Sequence, residues 1–187
     1  MELQCINVKI YVEGEMGLDP ERFIDLFHGW VGPQVMDEML VDVADYTHVP
    51  NGPGVLAIGL ECDYSMDKAD GKWGMRYNRK APLDGDNASR LSTSFASAAK
   101  GCEKMEKEFE GELKFSRREF EIFVNDRALA PNTAETFAAC REELESALTK
   151  VLGHDEFSLT HDENPRGRFR VFVTLARAFD LNAAPLA

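Results

Sequence analysis

The stretch LVDVADYTHVPNGPGVLAIG, residues 40–59, decides the fold class of this chain. Two apolar-rich runs, which extend to residues 39–48 and 54–64, flank the turn-forming sequence PNGPG. Asn-Gly favours the positive φ angles of a tight hairpin turn, and proline cannot donate a hydrogen bond to a strand ladder. We therefore predict an antiparallel hairpin whose regular pairing stops near Val49 and Gly54.

Strand and helix patterns alternate on both sides of this hairpin. Residues 3–12 alternate between apolar and polar side chains, which is typical of a half-buried strand. Further strands are predicted at residues 73–79, in a second hairpin at 113–124 around Arg117-Arg118, at 157–160 and at 169–175. Three amphipathic helices are predicted, one after Asp19-Pro20, one from Leu91 to Phe109, and one opened by a capping box of Asn132 and Glu135.

The order of these elements indicates the architecture. Strands mostly arrive in adjacent hairpin pairs, and helices separate the pairs. This order favours an α+β fold, a two-layer sandwich in which a largely antiparallel sheet built from hairpins carries three helices packed on it. With 187 residues, the chain is expected to form a single α+β domain over residues 1–179, followed by a flexible C-terminal tail at 180–187.

Charge and hydropathy narrow the range of partners. The 21 basic and 33 acidic residues give a formal net charge of −12, which repels polyanions, so we expect no nucleic acid partner. No run approaches the roughly 18 apolar residues of a membrane span, and the N-terminus lacks the pattern of a signal peptide. We therefore expect a cytoplasmic protein with no membrane partner. The four cysteines form no C-x-x-C pair and are interpreted as small buried thiols in a reducing compartment.

Motifs that would define an enzyme class are missing from the sequence. It contains no G-x-x-x-x-G-K, no G-x-G-x-x-G after a strand, no H-E-x-x-H and no G-x-S-x-G. No catalytic residue is therefore assigned, no cofactor or metal is expected, and whether the chain is an enzyme stays open. Two basic clusters, Arg117-Arg118 and the run Arg166, Arg168, Arg170, are interpreted as solvated turns.

The densest group of polar residues lies on the hairpin. Strand alternation places Asp42, Tyr46 and His48 on one face and Asp45 on the other face, which carries Val43. About 20 Å of extended strand separates Asp42 from His48, so these two residues cannot bind one metal ion together.

The positions of these polar residues can be tested against a specific pairing register of the two hairpin strands. If Asn51-Gly52 is a two-residue loop, Asp42 faces Glu61 and Asp45 faces Ile58. A carboxylate at position 45 would then share the core face and require a partner, and Asp42 opposite Glu61 would be an unfavourable pair of like charges. The alternatives are a longer loop and a solvated polar face on which Asp45 caps backbone near the turn.

A second polar cluster contains Tyr77 and Arg79. The Arg79 guanidinium could hold a carboxylate or phosphate in a fork, or pair structurally with Asp45 or Asp42, and we favour the structural pair. The candidate binding residues are Asp42, Asp45, Tyr46, His48, Asn51, Glu61, Tyr77 and Arg79.

Three hypotheses about function follow. The first is a soluble binding or interaction protein without a tightly bound cofactor. The second is a small enzyme acting on an anionic small molecule, with Asp45 or His48 as the acid–base group and Arg79 holding the substrate. The third is a structural subunit of a homo-oligomer, in which an edge strand pairs with its mate. A small anionic ligand and a homo-oligomer are thus the candidate partners.

Several segments resemble one known family. The hairpin sequence at 40–59, YNRKA at 77–81, NDRALAPNT at 125–133 and Phe27-His28-x-Trp30 are similar to a family of small bacterial proteins to which no activity is assigned. The resemblance covers most of the chain apart from the C-terminal tail. It implies a bacterial origin and carries over no catalytic residue.

Overall fold

A computed structural model describes residues 1–181 and shows one eight-stranded antiparallel sheet with three α-helices in that range. The strands are β1 (Ile6–Val12), β2 (Leu40–Tyr46), β3 (Gly54–Gly59), β4 (Cys62–Asp67), β5 (Gly74–Arg79), β6 (Phe115–Val124), β7 (Phe157–His161) and β8 (Phe169–Leu175). The helices are α1 (Arg22–Val31), α2 (Asn87–Glu108) and α3 (Ala134–Leu152), with a 3₁₀ turn at Ala69–Gly71. The predicted α+β fold is confirmed.

The strand order across the sheet is β2-β3-β4-β5-β1-β6-β8-β7. The first strand of the chain therefore lies in the interior of the sheet, between β5 and β6, and every one of its seven residues is buried. Of the predicted tail, Asp180 is exposed, Leu181 is buried in the core, and residues 182–187 lie outside the described residues.

The three helices pack on one face of the sheet, which we call the helix face. The apolar stripe predicted for the second helix is buried against it: Leu91, Phe95, Ala98, Cys102, Met105 and Phe109. Gly101 lets α2 approach closely, because an added Cβ would lie 2.8 Å from Met75 Cε and 3.3 Å from Tyr64 Cδ1. The opposite face, the polar face, carries no α-helix among the described residues.

Local sequence explains how the helices begin and end. Asp86 caps α2 by accepting a hydrogen bond from the Ser89 backbone N–H. The residue that caps α3 is Thr133, which accepts from the Thr136 N–H, so the predicted cap at Asn132 is wrong by one position. Gly153 ends α3 in the left-handed region at a φ of 73°, as helix C-termini favour.

Two predicted strand boundaries are wrong. The run 54–64 is divided into β3 and β4 by a turn after Gly59, where a Cβ would lie 2.7 Å from the Met39 carbonyl oxygen. The run 113–124 is not a hairpin, because Phe115–Val124 forms the single strand β6. Arg117 lies within that strand and binds Glu106 through two of its nitrogens.

The described residues contain no membrane-spanning helix and no disulfide bond. No helix within residues 1–181 is both long enough and apolar enough to cross a bilayer. All four cysteines are free thiols. Cys62, Cys102 and Cys140 are buried as predicted, and Cys5 is half-buried.

Candidate functional site

The β2–β3 hairpin has a longer loop than the register hypothesis assumed. The last cross-strand pair is Tyr46 with Gly54, so residues 47–53 form the connection. Asp42 therefore lies opposite Ile58 and not Glu61, and Asp45 lies opposite Val55 and not Ile58. The register with a two-residue loop is wrong and the alternative of a longer loop is confirmed, with pairing that stops before the prolines as predicted and with Asn51 at a positive φ of 52° inside the loop.

Asp42 and Asp45 are exposed, and each accepts a hydrogen bond from a backbone N–H, Asp42 from one within the edge strand β2 and Asp45 from one in the loop that follows it. Asp42 Oδ1 accepts a hydrogen bond from the Val43 N–H, and Asp45 Oδ1 accepts from the Thr47 N–H, both at 2.8 Å. The hydroxyl and the N–H of Thr47 hold the pKa of Asp45 below its usual range. The interpretation of Asp45 as a backbone cap is therefore confirmed, and the expectation that it lies buried on the core face is wrong.

Gln34 completes this arrangement at the start of β2. Its side-chain amide accepts from the Leu40 N–H at 3.2 Å and donates to the Leu40 carbonyl at 2.8 Å, as a neighbouring strand would. Side chains thus occupy backbone groups that an incoming strand would use, which is how natural sheets protect their edges. This geometry disfavours a homo-oligomer formed by pairing of β2.

Of the other predicted residues, His48 is near enough for its charge to help lower the pKa of Asp45, whereas Glu61, Tyr77 and Arg79 do not converge with this pair. Tyr46 and His48 are exposed and stack on each other with ring centres 6.3 Å apart. Arg79 is buried and binds Glu61 at 3.0 Å and the Ala81 carbonyl at 2.8 Å. Arg79 therefore has the structural role we favoured, but its partner is Glu61, because the turn between β3 and β4 brings that carboxylate next to β5.

Tyr77 belongs to a buried cluster that the sequence did not reveal. Glu38 accepts hydrogen bonds from the hydroxyls of Tyr64 at 2.8 Å, Tyr77 at 2.9 Å and Ser97 at 3.0 Å. Burial and the Glu38 charge raise the pKa of both tyrosines well above the usual range. Burial, with Glu38, also raises the pKa of the neighbouring Cys62 thiol to about 12. The cluster ties the segment before β2 to the sheet and to α2.

The polar face contains a buried ion network. Lys9 Nζ lies 2.6 Å from Asp67 Oδ1, and Arg76 Nη1 lies 3.3 Å from Asp67 Oδ2. Tyr11 donates to Glu121 at 2.8 Å, and burial together with the Glu121 charge raises the pKa of that tyrosine. The alternation of residues 3–12 had indicated a half-buried strand, whereas Asn7, Lys9 and Tyr11 on this face are all buried.

The connection between β4 and β5 explains this burial, because it folds over the polar face. Lys9 donates to the Ala69 carbonyl at 3.2 Å. Beyond it, Asp70 binds Arg170 on β8, and Lys72 binds Glu119 on β6. We call this connection, residues 68–73, the strap.

Next to the strap lies an arginine cluster, formed by Arg76, Arg168 and Arg170. The guanidinium carbons of Arg76 and Arg168 lie 4.6 and 4.9 Å from the centre of the Phe123 ring. Arg168 is half-buried, and burial followed by the charges of Arg76 and Arg170 lowers its pKa. The prediction of a solvated turn is therefore wrong for Arg168 and Arg170, which pack on the sheet, whereas Arg166 is exposed.

Arg168 has no carboxylate partner in the described part of the chain, unlike Arg76 and Arg170. Within residues 1–181 it forms no ion pair, and it donates one hydrogen bond, to Asn125 Oδ1 at 2.8 Å. Three further buried atoms on the polar face, Asn7 Oδ1, Arg76 Nε and Arg170 Nε, have no hydrogen-bond partner among the same residues. Guanidinium groups with free donors bind carboxylate or phosphate oxygens through parallel hydrogen bonds. The cluster can therefore hold an oxyanion.

Comparisons with known proteins assign neither a family nor a function to this chain. No protein-family model matches the chain, and searches of curated proteins and of solved structures give no match. The resemblance to a family of small bacterial proteins thus stays a prediction. Among residues 1–181, no three histidine, cysteine or carboxylate side chains converge in a way that could hold a metal ion.

Proposed function

We propose that this protein is a binding protein that holds a small anionic ligand, through a carboxylate or phosphate group, at the arginine cluster of the polar face. The observation that carries the proposal is Arg168, a half-buried guanidinium without an ion pair among the described residues. Burial, followed by the charges of the two flanking arginines, disfavours its charged form, and the charges of Asp67 and Glu121 offset this only in part.

The cost of burying this guanidinium supports the assignment. A buried charge is stabilised when it is paired and hydrogen-bonded, and an isolated one costs free energy. The chain has 33 acidic residues, and none of the described carboxylates lies within ion-pair distance of Arg168. A bound oxyanion would supply the missing pair and relieve the repulsion between Arg168 and Arg76.

The remaining groups fit the same ligand. The free Arg76 Nε can donate a second hydrogen bond, and the free Asn7 Oδ1 can accept one from a ligand hydroxyl. The Phe123 ring packs against both guanidinium groups and holds them in one place. The enzyme hypothesis has less support, because Asp45 and His48 lie on the hairpin while Arg79 is engaged by Glu61.

Titration calorimetry with inorganic phosphate and with citrate, at low ionic strength, tests the proposal. We expect one of these probes to bind, and Arg168→Gln to weaken binding at least about tenfold, as for a charge-assisted hydrogen bond of about 1.5–3 kcal/mol. The matched control is Arg166→Gln, which removes the same charge two residues away at an exposed position. Equal losses in both variants, or no binding of either probe, would overturn the proposal.

A further inference from the structure

A cleft of about 570 Å³ lies on the helix side of the molecule, between α1 and the C-terminal part of α2. Its floor is apolar and is formed by Leu26, Trp30, Val35 and Phe109. Leu26, Trp30 and Phe109 are buried in the core, and the Trp30 ring packs edge-on against Tyr64. Clefts of roughly 300–1,000 Å³ with apolar walls and a few polar groups are typical ligand sites.

The charged groups around this floor are not equivalent. Arg22 is paired with Glu112 and lies over the Phe109 ring. Lys104 and Lys107 form no ion pair among residues 1–181. Lys104 is half-buried, whereas Lys107 and the two acidic lining residues, Asp25 and Glu108, are exposed. Lys104 is thus the least exposed of these charged side chains.

Gly29 in α1 indicates that the open volume of the cleft is important for its function. It lies in α1 and lines the cleft, although glycine within a helix costs about 1 kcal/mol relative to alanine. No positive φ requires glycine here, and an added Cβ would meet nothing within 4 Å. Neither backbone conformation nor packing therefore explains this residue. Its effect is to keep the wall of the cleft open.

We infer that the cleft binds an amphipathic small molecule, an apolar or aromatic body that carries one acidic group. The body lies on Trp30 and Phe109, and the acidic group pairs with Lys104. This site is independent of the arginine cluster, because the sheet separates the helix face from the polar face.

The probe for this inference is 1-anilinonaphthalene-8-sulfonate, an aromatic body with one sulfonate. We expect its fluorescence to rise on binding and laurate to displace it, with quenching of Trp30 emission measured in a Trp73→Phe background. Gly29→Leu places a side chain in the cleft and is expected to weaken binding at least about tenfold, which corresponds to about 1.4 kcal/mol. Its control is Gly17→Leu, since Gly17 is exposed, also has free space around it and lies outside the cleft.

Two further variants separate the possible outcomes. Lys104→Met is expected to weaken laurate at least about fivefold and to leave dodecanol nearly unchanged, because only laurate carries the charge. This variant decides the question if Gly29→Leu does not fold. Arg168→Gln is expected to leave laurate binding unchanged, so failure here is distinct from failure at the arginine cluster. Unaltered affinity in both Gly29→Leu and Lys104→Met, or no binding to the wild-type chain, overturns the inference.

Discussion

Lys9 and Asp67 form an ion pair of 2.6 Å in which the side chains are only 2% and 1% exposed. The pair joins the interior strand β1 to the end of β4, where the strap begins. Asp67 Oδ1 also accepts the Ala69 N–H at 2.9 Å, so one carboxylate fixes both the lysine and the first turn of the strap.

Removal of Lys9 should therefore be costly. We expect Lys9→Met to lower the free energy of unfolding by about 3–5 kcal/mol, because Asp67 would be left buried with Arg76 as its remaining cation. Urea unfolding measures the change. Lys9→Met combined with Asp67→Asn should lose less than the sum of the two single variants, and strict additivity would contradict the pairing.

The carboxylates on β2 should protect the edge of the sheet. We expect Asp42→Ala with Asp45→Ala to increase self-association relative to wild type, because the Val43 N–H in β2 and the Thr47 N–H just after it lose their side-chain acceptors. Sedimentation velocity at rising concentration detects the change. The control is Asp42→Asn with Asp45→Asn, which removes the same charge but keeps the acceptor oxygens. Equal association in the two double variants would show that charge alone matters.

Glu38 should be needed for the buried tyrosine cluster. We expect Glu38→Ala to lower the free energy of unfolding by about 2–4 kcal/mol, because two buried hydroxyls, those of Tyr64 and Tyr77, lose their acceptor. Glu38→Gln keeps one acceptor oxygen and should lose less. Thermal and urea unfolding measure both variants. A loss in Glu38→Ala as small as that of an exposed glutamate, such as Glu110→Ala, would argue against this role.

The buried thiols should make the fold sensitive to alkali. The pKa of Cys62 rises from 9.0 to about 12 through burial, with a contribution from Glu38. Above pH 9 the unfolded chain therefore loses this proton while the folded chain keeps it, so stability falls as pH rises towards 12. The slope is at most about 1.4 kcal/mol per pH unit for each thiol.

The interval between pH 9 and 10 is the place to measure this slope, because ordinary tyrosines titrate near pH 10 and higher. Cys62→Ala should flatten the dependence of unfolding free energy on pH in that interval. Burial also raises the pKa of Cys102, and it raises the pKa of Cys140 to about 11, so part of the slope should remain. An unchanged slope in Cys62→Ala would contradict the burial of this thiol.

Periodicity alone was enough to predict the layers of the fold. Leu91 to Phe109 follow the helical repeat and are buried as predicted, and the strand alternation of residues 3–12 matches the core face of β1. Register could not be predicted in the same way, because the prolines of the PNGPG sequence indicate that pairing stops but not how many residues the loop contains, and the last observed pair is Tyr46 with Gly54.

The candidate site was harder to predict because distant segments create it. Arg168 meets Arg76 only because β6 pairs with both β1 and β8. Lys9 is buried only because the strap crosses the sheet from β4. Glu38 has no local pattern that marks it, and its three hydroxyl partners come from β4, β5 and α2.

The interior position of β1 has a consequence for synthesis on the ribosome. β1 can pair with β5 once residue 79 has been made, but its second neighbour, β6, begins only at Phe115. Until then, a strand that is fully buried in the finished protein has one open edge. Pairing over more than 100 residues of separation raises the contact order and slows folding, so we expect nascent chains of this length to depend most on chaperones.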